Sequence, residues 1–135
     1  MGSSLKPSWT PKQESILTKC FIIETDNVPR NVVQHPEVKW ANIASLYNGH
    51  YGYKGYRTQG QLENQFRDMM WKVVRFKHKY EQLKINYPDR SEDTLIEDAK
   101  REYLATSVDG TEFEHEHVYH IIKGRPLITC FISGI

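Results

Sequence analysis

Leu62, Phe66, Met69, Val73, Phe76, Tyr80 and Leu83 recur at steps of four and three. That is the helical period held across three heptads, which a strand with its period of two cannot produce. The stretch opens at Arg57 with Thr58 and Gln61, a spacing at which hydroxyl and amide satisfy the first free N–H groups of a helix. Roughly 25 residues at 1.5 Å each make a rod about 38 Å long, nearly the width of a small domain. Burying one stripe of it contributes about 1.5–3 kcal/mol for each large side chain. At about 100° per residue, the opposite face carries Asn64, Arg67, Trp71, Arg75 and His78. Any fold for this chain must satisfy an apolar side and a basic, Trp-bearing side of one helix.

A length of 135 residues suits one domain with a real core. The net charge of +1 argues against a wholesale nucleic-acid coat, but its distribution is uneven. Residues 54–80 hold seven Lys or Arg against two acids, whereas residues 91–117 hold two basic residues against nine acids. Such a split suggests halves that meet each other or different partners. Cys20 and Cys130 make no disulfide framework, no secretory apolar region precedes the first helix, and the apolar run at 126–132 is too short to span a bilayer. The expectation is an intracellular protein with reduced thiols.

Trp9-Thr10-Pro11-Lys12-Gln13-Glu14 is a dense helix-start signal: Thr10 caps, Pro11 suits the first position, and Gln13 completes a capping box. Ile16, Leu17, Cys20 and Phe21 form its apolar face, with Cys20 read as a buried thiol, and the helix is expected to end near Thr25. After a Pro- and Asn-bearing loop, a second helix is expected from Pro36 to Tyr47. Val38, Ala41 and Ser45 line one side, Trp40, Ile43, Ala44 and Tyr47 lie beside them, and Asn48-Gly49 forms the C-cap. Asn48 to Tyr56 interleaves three glycines with three tyrosines, without P-loop spacing, and reads as a flexible loop whose tyrosines pack on, or hydrogen-bond near, the next helix. After Asn86-Tyr87-Pro88-Asp89, Ser91 caps a fourth helix with inner residues Leu95, Ile96, Ala99, Tyr103 and Leu104, ended by Asp109-Gly110. A fifth helix is expected over 113–122, burying Phe113, His117, Val118, Ile121 and Ile122. Residues 1–8 are expected as a disordered start, and 127–135 as an apolar, extended or unpaired tail.

Trp9-Thr10, Glu14 and Leu17, then Trp40-x-x-Ile43-Ala44-x-x-Tyr47-Asn48, then Arg57-Thr58-x-x-Gln61 with Phe66, Val73, Phe76 and Tyr80, follow one another as three helices with aromatic core positions. This order resembles the plant trihelix-type Myb/SANT-like domain of the accessory, non-catalytic proteins of PIF/Harbinger transposons and their domesticated relatives. Ser91-Glu92-Asp93, Ala99, Tyr103, Gly110, Phe113, His117, Val118 and Tyr119 are similar to the no-apical-meristem-associated C-terminal region. The family commonly has a Trp where Phe66 stands. After Pro126 it continues with Lys-Trp and a charged tail, where this chain has Leu-Ile-Thr-Cys-Phe-Ile. The resemblance implies an all-α fold: a three-helix helix-turn-helix bundle over 9–85 with a long third helix, and an acidic helical subdomain over 86–126 packed on it.

The resemblance also implies a nuclear protein whose third helix enters the major groove of double-stranded DNA and which works with a transposase, chromatin or transcription-factor partner. Gln59, Gln61, Asn64 and Arg67 would then face bases or phosphates, and Lys54, Arg57, Lys72 and Arg75 would hold phosphates. The same residues also describe an ordinary solvated face. Trp71 lies opposite the apolar stripe and is expected to be covered by helices four and five; otherwise Trp71 and His78 form a protein-docking anchor. His115, His117 and His120 are spaced by two, three and five, without the four-residue pair of a helical zinc site, so no metal ligand is assigned. No nucleophile, base and oxyanion donor converge, so no catalytic residue, cofactor or small-molecule substrate is assigned. The alternative function is a protein-interaction adaptor that keeps the fold without significant DNA binding.

Overall fold

The structure is a computed structural model that describes residues 8–29 and 31–125. The expected disordered start, apart from Ser8, and the apolar tail lie outside the described residues. Five α-helices and no strand occur among the described residues: α1 Pro11–Asn27, α2 Pro36–His50, α3 Gln59–Asn86, α4 Glu92–Ala105 and α5 Glu116–Ile122. The chain forms two compact units, one up to Glu63 and one from Asn64 onward. No helix among the described residues is long and apolar enough to cross a membrane.

In the first unit, α1 begins with the expected reciprocal cap. The Gln13 N–H donates to Thr10 Oγ1 at 3.1 Å, and the Thr10 N–H donates to Gln13 Oε1 at 3.0 Å. Leu17, Cys20 and Phe21 are buried along its inner face. Burial pushes the Cys20 thiol up to about 11, because a thiolate there would lose its water. α1 packs on α2 through Phe21 and Trp40, whose ring centroids are 5.8 Å apart. Lys39 lies 4.3 Å over the Phe21 ring and donates to Thr25 Oγ1 at 3.0 Å. Burial lowers the Lys39 pKa, and nearby Glu24 opposes that shift. Glu24 in turn accepts from Asn42 and Gln34 at 2.8 and 2.6 Å.

α2 buries Trp40, Ile43 and Tyr47, while Val38, Ala41 and Ser45 face solvent. The larger side chains remove more apolar area from water, so their stripe takes the inside. The helix also continues past the expected stop to His50, making Asn48 a buried helical residue rather than a cap.

In the second unit, Met69, Val73, Phe76 and Tyr80 of α3 are buried, joined by Met70 and Val74; Leu83 is half-buried. Phe113 stacks on Phe76 with centroids 4.1 Å apart and planes within 3° of parallel, and Tyr119 meets Phe76 edge-on at 5.1 Å. α5 thus meets this part of α3 through Tyr119, while Tyr103 of α4 meets the Phe113 ring with centroids 5.2 Å apart. Ser91 caps α4, accepting from the Thr94 N–H at 3.2 Å. α4 stops at Ala105, and Leu104 is exposed. α5 begins three residues later than expected, at Glu116. Phe113 and His115 are buried from the non-helical approach, Tyr119 replaces Ile121 and His117 in the helix's buried set, and the latter two are only half-buried.

Candidate nucleic-acid interface

The outer face of α3 in the second unit is solvent-facing. Asn64, Arg67, Trp71, Lys72 and His78 are all exposed, Trp71 by 68%. The expected covering of Trp71 by α4 and α5 does not occur, because those helices meet α3 through Phe76, Tyr80 and Arg75. Arg75 is half-buried: its guanidinium sits 4.4 Å from the Tyr103 ring centroid and donates to Tyr103 O at 3.3 Å and Thr106 Oγ1 at 3.0 Å. It thereby supplies donors and a positive charge to the last turn of α4, where carbonyls lack helical partners. That geometry removes Arg75 from the set of phosphate-holding residues.

Three further expected contacts have structural duties in the first unit. Arg57 is only 5% exposed; its guanidinium lies 3.8 Å over the Trp9 ring and donates to Ser8 O at 3.3 Å. Its backbone is held by Asn48, which donates from Nδ2 to Arg57 O at 2.9 Å and accepts the Arg57 N–H on Oδ1 at 3.0 Å. A buried guanidinium on an indole face gains a cation–π contact and cannot also reach a phosphate in solvent. Gln59 donates to Glu37 O at 3.2 Å. Gln61 accepts the Thr58 N–H at 2.8 Å while its own N–H donates to Thr58 Oγ1 at 3.1 Å, the expected capping box. The amide oxygen that would read a base is thus already occupied in capping.

Lys54 is exposed in the loop between α2 and α3. Tyr51 packs on Tyr47 of α2 at 5.2 Å, rather than on the following helix as expected, and Tyr53 and Tyr56 are 62% and 61% exposed. Gly52, Tyr53 and Gly55 all have positive φ, at 60°, 62° and 66°. For glycine that conformation is free, whereas for tyrosine it costs about 1–2 kcal/mol. The turn is held by the Tyr53 N–H donating to Asn48 O at 2.8 Å and the Gly52 N–H donating to Gly49 O at 3.1 Å. Sequence reasoning missed Tyr53 and Tyr56 as surface residues; their alternation with glycine was the available signal.

The acidic half answers much of its own charge. Asp98 pairs with Arg90 at 2.7 Å and with Arg101, Glu92 with Lys123 at 3.2 Å, and Glu116 with Lys100 at 2.5 Å. Hydrogen bonding from Lys100, then from His120, lowers the Glu116 pKa against the opposing effect of burial. Compared with known protein families, with curated proteins and with solved structures, the chain gives no match.

Proposed function

We propose that this chain is a non-enzymatic, nuclear DNA-binding module of Myb/SANT-like type that acts beside a protein partner. The three-helix arrangement of α1, α2 and α3 belongs to this proposal, as do the transposon-derived origin and the absence of cofactor and small-molecule substrate. The observation that carries it is the outer face of α3, on which Asn64, Arg67 and Lys72 are exposed to solvent. Asn has the donor–acceptor pair that suits adenine, and Arg has the fork that suits guanine or phosphate. Trp71 and His78, on the same face, are assigned to the protein partner, since exposed Trp is enriched among docking anchors.

Lys54, Arg67 and Lys72 are the phosphate contacts left after Arg57 and Arg75 are removed. Three such cations give a slope of log affinity against log salt of about −2.7, a loss of about 40-fold between 50 and 200 mM salt. Fluorescence anisotropy with labelled duplexes, random and selected, reads both quantities. No binding at 50 mM salt, or affinity independent of salt, refutes the proposal.

The engagement of Arg57, Gln59, Gln61 and Arg75 in holding the protein together favours a second reading, an adaptor that retains the fold without significant DNA binding. Under it, Trp71→Ala abolishes capture of a protein partner with helical circular dichroism intact, and no duplex binds. Retained capture by that variant removes this reading.

A further inference from the structure

The loop between α2 and α3 has a construction that its length alone does not require. Both of its ends are tied to one buried side chain: Asn48, in the last turn of α2, bridges the backbone of Arg57, whose guanidinium is seated on Trp9. Between these anchors, backbone bonds run from Gly52 to Gly49, from Tyr53 to Asn48 and from Lys54 to Tyr51. The loop is therefore held at its base and turned by its own hydrogen bonds. What it presents is Tyr53, Lys54 and Tyr56, all exposed.

Two features of this display point to a ligand. Tyr53 is the only non-glycine with positive φ among the described residues, and Gly52 and Gly55, on either side of the pair Tyr53-Lys54, share nearly the same φ. A glycine at 53 would make the same turn without steric cost, so the tyrosine side chain has its value outside the turn. The electrostatics are also one-sided. No Asp or Glu occurs between Glu37 and Glu63, while Lys39, Lys54 and Arg57 do. An acid-free span in which an exposed lysine stands between two exposed tyrosines along the chain suits an anionic backbone with acceptor oxygens at regular intervals.

We propose that Tyr53, Lys54 and Tyr56 form a backbone clamp for double-stranded DNA, the two phenolic O–H groups donating to phosphate oxygens on either side of the Lys54 ammonium. This rests on the DNA-binding reading above and extends it from α3 to a second element. Hydroxyl and ammonium contacts to phosphate position a protein on the duplex without reading sequence. The clamp therefore contributes equally on every duplex.

The test is anisotropy with the full chain on a random and a selected duplex, and on the matching single strand. Tyr53→Phe/Tyr56→Phe removes only the hydroxyl groups and is expected to weaken both duplexes by the same factor, about tenfold. Lys54→Ala lowers the magnitude of the salt slope by about 1. Tyr53→Gly keeps the turn and does not lower the thermal midpoint while losing affinity, which separates binding from folding. Unchanged duplex affinity in the double variant, with wild type binding normally, overturns the clamp and leaves the α3 reading standing. Tighter binding to the single strand than to either duplex also overturns it, in favour of base stacking on the rings. Absence of wild-type binding at 50 mM salt overturns both.

Discussion

Replacing Asn48 by Ala tests the contact that organises the first unit. Asn48 is 2% exposed and makes two hydrogen bonds to one distant backbone unit, at 2.9 and 3.0 Å. Each bond contributes about 1 kcal/mol net, and a buried N–H or C=O left without a partner costs about 1–3 kcal/mol. The substitution therefore removes about 2–4 kcal/mol, offset by roughly 0.5 kcal/mol because Ala favours the helix interior that Asn48 occupies in α2. A net loss of about 1.5–3.5 kcal/mol follows. For a chain of 135 residues the unfolding entropy is about 0.28 kcal/mol/K, so the thermal midpoint falls by about 5–13 °C. Asn48→Asp keeps an acceptor for the Arg57 N–H but turns an oxygen toward Arg57 O, so it recovers only part of the loss. Urea unfolding followed by circular dichroism gives the free energies, and hydrogen exchange at the Arg57 amide reports the bridge directly. A loss below about 0.5 kcal/mol for Asn48→Ala, or an Arg57 amide that remains protected, refutes the reasoning.

The remaining expectations concern the core, the acid limb and the thiol. Phe113→Ala removes the ring stacked 4.1 Å from Phe76 and should cost about 3–5 kcal/mol in urea unfolding, whereas exposed Trp71→Ala should stay within about 0.5 kcal/mol. Equal losses would contradict the placement of both rings. Asp109 is held at about 2, below its ordinary 3.8, chiefly by the Ser107 hydroxyl and then by Thr111. With the folded pKa depressed, its stabilisation is complete above about pH 3.8 and disappears as pH falls through 2. Asp109→Asn should therefore flatten the stability profile between pH 4 and 2; an unchanged acid limb counts against it. Finally, in a Cys130→Ser background the buried Cys20 thiol, raised to about 11, should resist a disulfide reagent at pH 8 until the protein unfolds. Labelling at the rate of a free cysteine would show it accessible.

The features legible in the amino-acid order are those made by residues three or four positions apart. Thr10 with Gln13, Thr58 with Gln61, and Ser91 ahead of α4 cap their helices as their spacing requires, because each bond closes within one turn. The apolar stripe from Leu62 to Tyr80 is buried for the same reason: helical period aligns it before any partner is known. The candidate site was legible only in part. Asn64, Arg67 and Lys72 are exposed where the helical wheel puts them.

What tertiary structure decided lies at longer range. Arg57 looked like a surface cation until Ser8 and Trp9, nearly fifty positions away, gave its guanidinium a seat. Asn48 became a bridge instead of a cap because Arg57 O and N–H came within reach of its amide. Arg75 was drawn to the end of α4, 28 and 31 residues on, while Trp71, one turn earlier on the same face, stayed in water. Local spacing determines which residues share a face of a helix. Which part of that face is covered depends on the partners that chain folding brings to it, and no local pattern encodes those distances.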